Sequence, residues 1–514
     1  MRRRTSLLLA AAVACLAAAP VPAAAPAAAA PAQVEPEAVT GTGSSYASNA
    51  VSEWKRYAGT RGWDVSYTVS NSVFGMGQYG AGFVDYAATE AEFSAYGVGP
   101  APRGFQYTPT VAGAIAVMYN VTDAAGNQVT TLKLSRRTIA RIFTGDIARW
   151  SDPAITADND GRQLPDQPID VIYRQGNSGT TALFYDFVKH TIPDQFDAWA
   201  NRNGFDRVNR IIRVDTSPGH VAEGRPVDGS DTMTQTVKTT PWTISAVEAS
   251  YPMDPSFNVP VAFVQNESGT WVRPGAAEIT VALEGAGLRG DISQSLEAVY
   301  ANPAPTAYPI SAYSYMVTQC EVGFGPDCRG RHPKPGREAT LALWMRYIAC
   351  EGQAEMGLGV RGYAPLPPTL SQEIANSIAR MTGGSPETLD AGNCGNPRFD
   401  PGFALPSEPT APAAADAGAG GPATAAGGPA ATTGGAGGAG PAADVAAADT
   451  DAATGAGVRA VGGGSKDWRD VDPASYDRPG MTPLEVWAWI VVLAALAVPL
   501  VGGTLLRLAR RPRF

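Results

Sequence analysis

The sequence predicts an α/β fold with mixed sheets, arranged as two lobes, followed by a disordered stalk and one transmembrane helix. Three observations predict it. Short alternating or apolar runs, VSYTV (65–69), AIAVMYN (114–120) and IDVIYR (169–174), carry the periodicity of strands. Between and beyond them lie amphipathic helical patterns at 47–58, 135–143, 180–190, 337–351 and 371–381, and strands alternating with helices indicate α/β architecture. The globular part, about 38–402 of the 514 residues, suits two lobes better than one.

Taken in order, the chain opens with the marks of a secretory signal over 1–32. Arg2, Arg3 and Arg4 form a basic start, Leu7 to Leu16 an apolar stretch too short to span a bilayer, and an Ala/Pro run follows. Ala12, three residues before Cys15, is not the large aliphatic residue expected ahead of a lipidated cysteine, so cleavage is expected within 23–32. Lobe 1 is expected from 38–116 and 312–402, and lobe 2 from 117–311. Residues 403–484 form an Ala/Gly/Pro-rich linker that holds too few large apolar side chains to offset its ordering entropy.

Residues 486–506 contain no charge and, as a helix, would span roughly 30 Å, the hydrocarbon thickness of a bilayer. Trp487 and Trp489 suit the outer interface. Arg507, Arg510, Arg511 and Arg513, in the tail 507–514, place that end in the cytoplasm by the positive-inside rule. Pro499 is tolerated in a membrane helix. The expected topology is an exported, single-pass protein with its globular part outside the cell.

Export frames the cysteines. Apart from Cys15 there are four, Cys320, Cys328, Cys350 and Cys394, which suggests two disulfides with three possible pairings. Cys320 with Cys328 and Cys350 with Cys394 is the simplest. A zinc site is disfavoured, because no CxxC pair occurs and the histidines are only His190, His220 and His332. The formal net charge of −9, with no dense basic run away from the termini, argues against a nucleic-acid partner. No cofactor motif is evident.

Three segments share one local design, a small polar turn running into a helix. They are Gly41-Thr42-Gly43-Ser44-Ser45-Tyr46, Ser70-Asn71-Ser72, and Arg174-Gln175-Gly176-Asn177-Ser178-Gly179-Thr180. Helix starts offer unpaired N–H groups and a positive dipole end, hydroxyls add donors, and a guanidinium grips an oxyanion through two hydrogen bonds. Each segment alone has an ordinary alternative, since Ser or Thr before a helix commonly caps it.

Together, and in order, these segments resemble the phosphate-binding proteins of high-affinity phosphate ABC transporters, which have the type II periplasmic-binding-protein fold. GTGSSYASNAVSEW looks like the first motif of that family, TVAGAIAVMYN (110–120) like its first interlobe strand, and VIYRQGNSGTTALFYDFV (171–188) like its arginine-centred loop. LSRRTIARIFTGDIARWSDPAI (134–155), AYPISAYSYMV (307–317) and GYAPLP (362–367) continue the match, which covers most of 39–370. The resemblance implies ligand contacts from Ser45, Tyr46, Ser72, Glu90, Arg174, Ser178, Gly179 and Thr180. It depicts a non-enzymatic protein that captures phosphate or a similar oxyanion and delivers it to an ABC permease.

Two departures stand out. Glu90 replaces the family's Asp, which accepts a hydrogen bond from protonated phosphate and repels sulfate. Gly176 replaces an Asp beside the arginine. Asp85 matches a family Asp and is expected to be structural. Outside the resemblance, Glu90 has the alternative of a surface acid, and Arg174 that of a partner for Asp170.

Two other function classes were weighed. A tethered sensor or surface interaction protein is favoured by the membrane helix. For a hydrolase, GNSGT (176–180) lacks the final glycine of G-x-S-x-G, and no carboxylate/His cluster suits a metal-dependent phosphatase.

Overall fold

The computed structural model describes residues 35–96, 100–175, 178–203, 224–321, 327–328, 334–381 and 384–411. The expected signal, the span 486–506, the basic tail and Gly176 lie outside the described residues. Among the described residues no helix is long and apolar enough to cross a membrane.

The chain begins β1 (Val39–Gly43), α1 (Ser48–Thr60), β2 (Val65–Val69), α2 (Ser72–Gly80), β3 (Tyr86–Thr89) and β4 (Gln106–Asn120). Next come β5 (Lys133–Leu134), α3 (Arg136–Phe143), α4 (Pro153–Asp158), β6 (Asp170–Arg174), α5 (Gly179–Thr191) and α6 (Pro193–Asn203). They are followed by β7 (Arg225–Val227), α7 (Ser230–Thr239), β8 (Thr243–Glu248), β9 (Phe263–Gln265), β10 (Trp271–Val272) and α8 (Ala276–Leu283). The remainder is β11 (Gly287–Leu288), β12 (Gln294–Ser295), α9 (Glu297–Tyr300), β13 (Ser311–Thr318), α10 (Pro335–Ala349), β14 (Tyr363–Ala364) and α11 (Pro368–Ala379).

One mixed sheet, in the order β2-β1-β3-β13-β4-β8-β6-β7, carries the fold. Its two halves share β4. Gln106–Ala114 of β4 pairs antiparallel with β13, and Ile115–Asn120 pairs antiparallel with β8. In the first half β1 runs parallel to β2 and β3, and in the second β6 runs parallel to β7 and β8. Every residue of β4 except Asn120 is buried, as expected of a strand covered on both faces.

Pro109 interrupts β4 without ending it. Ser314 faces Val111 while Tyr315 faces Pro109, so Thr110 is an extra residue in a β-bulge, where proline's missing N–H is tolerated. Thr110 Oγ1 donates to the Ser314 carbonyl (3.0 Å) and keeps the strands together there.

Both disulfides follow the simplest pairing, Cys320–Cys328 and Cys350–Cys394. With these four sulfurs bonded in pairs, the zinc alternative falls. The C-terminal boundary expected at 402 comes too early, because 403–411 stay on the domain. Ala277 N donates to the Pro406 carbonyl (3.1 Å), Glu408 N to buried Glu278 (3.2 Å), and Glu408 pairs with Arg361. Composition alone does not register that Ser407 and Glu408 supply polar partners at the start of α8.

The disulfides close loops of different length, with sequence separations of 8 and 44. Loop-closure entropy then predicts a loss of about 4 kcal/mol for the Cys350→Ser/Cys394→Ser pair against about 2.5 kcal/mol for Cys320→Ser/Cys328→Ser. Urea denaturation of the two double variants checks the order.

Candidate functional site

The carboxyl ends of β1, β3, β6 and β8 and the N-termini of α1, α2, α5 and α7 converge. Open α/β sheets place ligands beyond the carboxyl ends of their parallel strands, where helix N-termini supply N–H donors. Close approach at the first strand needs glycine. Gly43 has φ +141°, and a Cβ there would lie 2.4 Å from the Ala88 carbonyl oxygen.

Glu90, immediately after β3, is fully buried. Three hydroxyls donate to its carboxylate: Ser44 Oγ (2.6 Å) and Ser72 Oγ (3.2 Å) to Oε2, and Ser314 Oγ (2.9 Å) to Oε1. Burial is the main reason its pKa rises to about 7. The hydrogen bond from Ser44 opposes that rise, and the charge of Glu248 adds to it. The Gly179 N–H at the start of α5 donates to Ser72 Oγ (3.1 Å), and a Cβ on Gly179 would lie 2.2 Å from Glu90 Oε2. Only glycine lets α5 come this close.

Arg174, the last residue of β6, is also buried. Its Nη2 donates to the Ser70 carbonyl (3.1 Å) and lies 3.6 Å from Asp228 Oδ1, and its Nη1 donates to Ser230 Oγ (3.3 Å). Ser230 Oγ is 2.8 Å from Ser45 Oγ, and Ser45 Oγ donates to Glu248 Oε1 (2.9 Å). Thr180 Oγ1 donates to the same carboxylate oxygen (2.6 Å). Arg174 Nε and Glu248 Oε2 are buried without hydrogen-bond partners among the described residues.

The structure therefore brings these residues into two adjoining hydrogen-bond clusters, Ser72, Glu90 and Gly179 in one and Ser45, Arg174 and Thr180 in the other, which meet through the neighbours Ser44/Ser45 and Gly179/Thr180. Tyr46 sits at their edge. Its N–H donates to Ser44 Oγ (3.0 Å), and its hydroxyl reaches the Ala312 carbonyl (3.3 Å) in the core. Ser178 caps α5, accepting from Thr181 N (3.5 Å).

The two alternatives fail. Glu90 is no surface acid, and Asp170 pairs with Arg225 (2.6 Å) rather than with Arg174. Asp85 accepts from Thr40 N (2.8 Å) and pairs with Arg337 (3.2 Å), tying β1 to α10 as a structural acid.

Four residues of these clusters were not foreseen: Ser44, Ser230, Glu248 and Ser314. Ser230 follows Gly229 at a helix start, the same signature as the three segments singled out, and Ser44 lies inside the first of them. Glu248 and Ser314 belong to strands, where the sequence shows a buried position without showing what meets it.

The PBP superfamily domain model matches residues 26–350. The chain belongs to the PBP superfamily. Among curated relatives of this PBP chain, the phosphate-binding protein PstS of Methanocaldococcus jannaschii is 26% identical over 356 residues, covering 66% of this chain and 84% of the relative. PstS 3 of Mycobacterium leprae is 28% identical over 336 residues, covering 62% and 80%. Among solved structures, the phosphate-bound PfluDING protein shares 16% identity at a TM-score of 0.48, covering 72% of this chain and 100% of that one.

A buried acid with a raised pKa costs stability wherever the folded state must ionise it. Glu90 imposes no such cost below its unfolded value of 4.5, and the cost grows until pH has passed about 7. In phosphate-free buffer, Glu90→Gln is expected to gain on wild type by up to about 3 kcal/mol between about pH 5 and pH 8.5. Denaturation midpoints at the two pH values measure it, and parallel curves would contradict the assignment.

Proposed function

We propose that this chain is an extracytoplasmic solute-binding protein that captures inorganic phosphate, or a closely related oxyanion, between two lobes and delivers it to an ABC permease. The observation that carries this reading is a buried guanidinium, Arg174, bonded into a chain of helix-start hydroxyls that adjoins a second hydroxyl cluster around the buried acid Glu90. The names of the curated relatives, phosphate-binding proteins, support it. The two halves of the sheet would be the lobes, with β4 and the segment leading into β13 as crossings, and hinge closure would bury the ligand.

In this reading Arg174 supplies the cation, Ser45, Ser72, Ser178 and Thr180 offer hydroxyls, and the Tyr46 and Gly179 N–H groups face the anion. Glu90 accepts the ligand's proton. Sulfate has no proton to offer there, and an unmatched buried carboxylate is costly. The protein works without chemistry on its ligand, exported and held at the membrane by the span 486–506.

Isothermal titration of the full-length chain with phosphate, sulfate and arsenate tests the reading. Heat with phosphate is expected, and no heat with any oxyanion would sink it. Arg174→Ala should weaken phosphate binding by about 100-fold or more while the circular dichroism spectrum is kept. Glu90→Gln should narrow the preference for phosphate over sulfate by about tenfold or more; an unchanged ratio would show that discrimination lies elsewhere.

A further inference from the structure

Glu248 is a second buried acid among the ligand loops. It ends β8, is 1% exposed, and lies where the two halves of the sheet meet. Its Oε1 holds one residue from each half, Ser45 from the loop after β1 and Thr180 from α5. Its Oε2 has no hydrogen-bond partner among the described residues. A solitary buried carboxylate oxygen beside the ligand loops is expensive unless something fills it.

We propose that Glu248 is a second proton acceptor of the cleft, so that the site takes its oxyanion together with protons, as dihydrogen phosphate, and capture is coupled to proton uptake. The proposal rests on the reading that this cleft binds an oxyanion.

The hydroxyl protons are its first support. A serine or threonine hydroxyl has one proton and two lone pairs. Arg174 has only donors, so Ser230 Oγ accepts from it and turns its own proton to Ser45 Oγ, which passes its proton on to Glu248. Thr180 gives its proton to Glu248 as well, while Ser44, Ser72 and Ser314 give theirs to Glu90. What these six hydroxyls present to an incoming ligand is lone pairs, and lone pairs are complementary to O–H groups. A ligand bearing two protons can satisfy Glu90 with one and Glu248 with the other.

The second support is charge. One guanidinium stands against two carboxylates, so a dianion would add two negative charges to a buried site that already holds one acid in excess, where like charges repel strongly. On the Glu90 side Lys189, His190 and Arg289 line the same cavity, together with Glu92, Asp186 and Glu297, and Arg289 pairs with Glu92 (3.3 Å). Asp228 and Asp231 add negative charge at the edge of the cleft, and Asp228 is largely solvent-exposed. Glu92 is a further acid close to Tyr96. Tyr46, Tyr96, Tyr251 and Tyr363 surround the two acids, and burial pushes all four up, so they stay neutral. The carboxylates that touch the ligand loops directly are Glu90 and Glu248.

The test is isothermal titration of the full-length chain with inorganic phosphate at about pH 8, in two buffers of different ionisation enthalpy, repeated across roughly pH 6 to 8.5. The wild type should take up at least one proton per phosphate, with apparent affinity for total phosphate falling about tenfold per pH unit for each proton coupled. Glu248→Gln should still bind at about pH 6 but take up one proton fewer, with a pH slope shallower by about one tenfold step per unit. Phosphate heat without proton uptake in the wild type would overturn the proposal and leave oxyanion binding standing. An unchanged proton count in Glu248→Gln would overturn Glu248's part. No phosphate heat at any pH would remove the binding reading itself, and this inference with it. If Glu248→Gln fails to fold, the wild-type proton count still tests the coupling, and Glu248→Asp, which shortens the side chain and keeps the acid, tests Glu248's part through a changed pH slope.

Discussion

A carboxylate withdrawn from water must be given hydrogen-bond donors or a proton, and at Glu90 that requirement organises everything around it. Its three hydroxyl partners come from the loop before α1, from the start of α2 and from β13. These elements are far apart in sequence, so satisfying one side chain forces three parts of the fold to meet. The same hydroxyls that make burial tolerable are themselves buried. Glu248 repeats the device on the other side of the cleft with Ser45 and Thr180.

The backbone makes such convergence affordable. Because β4 belongs to both halves of the sheet, strand ends from each half point into the same region. The bulge at Thr110 lies opposite Ser314, whose hydroxyl reaches Glu90. A bulge increases local twist and re-aims the side chains beside it. Pro109 therefore belongs to the site's geometry, although it touches none of its polar groups.

The sequence carried much of this frame and part of the site. VSYTV forms β2 residue for residue, and the five helices expected from periodicity all form, with ends shifted by at most three residues. Most of β4 before Ala114 was less legible, because proline and glycine in TPTVAG read as punctuation until a partner strand absorbs them. Two-residue strands such as β5 and β14 have no period to detect. The small-residue turns before α1, α2 and α5 were legible because a helix start is a local event. Glu248 and Ser314 were not, since alternation says which face of a strand is buried and nothing about what lies across from it. Asp170 and Arg174 look like partners in one dimension, but four residues of strand separate them by about 13 Å. Arg225, on the neighbouring strand β7, is nearer.

Arg174 shows how the two halves and the ligand site become one problem. Gly176 leaves this arginine without the acid that the resemblance places beside it. Here it is oriented across the sheet's two halves, by the Ser70 carbonyl from one and Ser230 from the other. Thr180 and Ser45 meet on Glu248 in the same way, and Gly179 meets Ser72. Each of these bonds uses at least one group of the proposed ligand site. In that reading an incoming oxyanion exchanges such bonds for its own. Affinity is then the difference between two sets of hydrogen bonds in one buried place. A ligand that brings its own protons replaces them most completely, because it can both accept from Arg174 and donate to the acids.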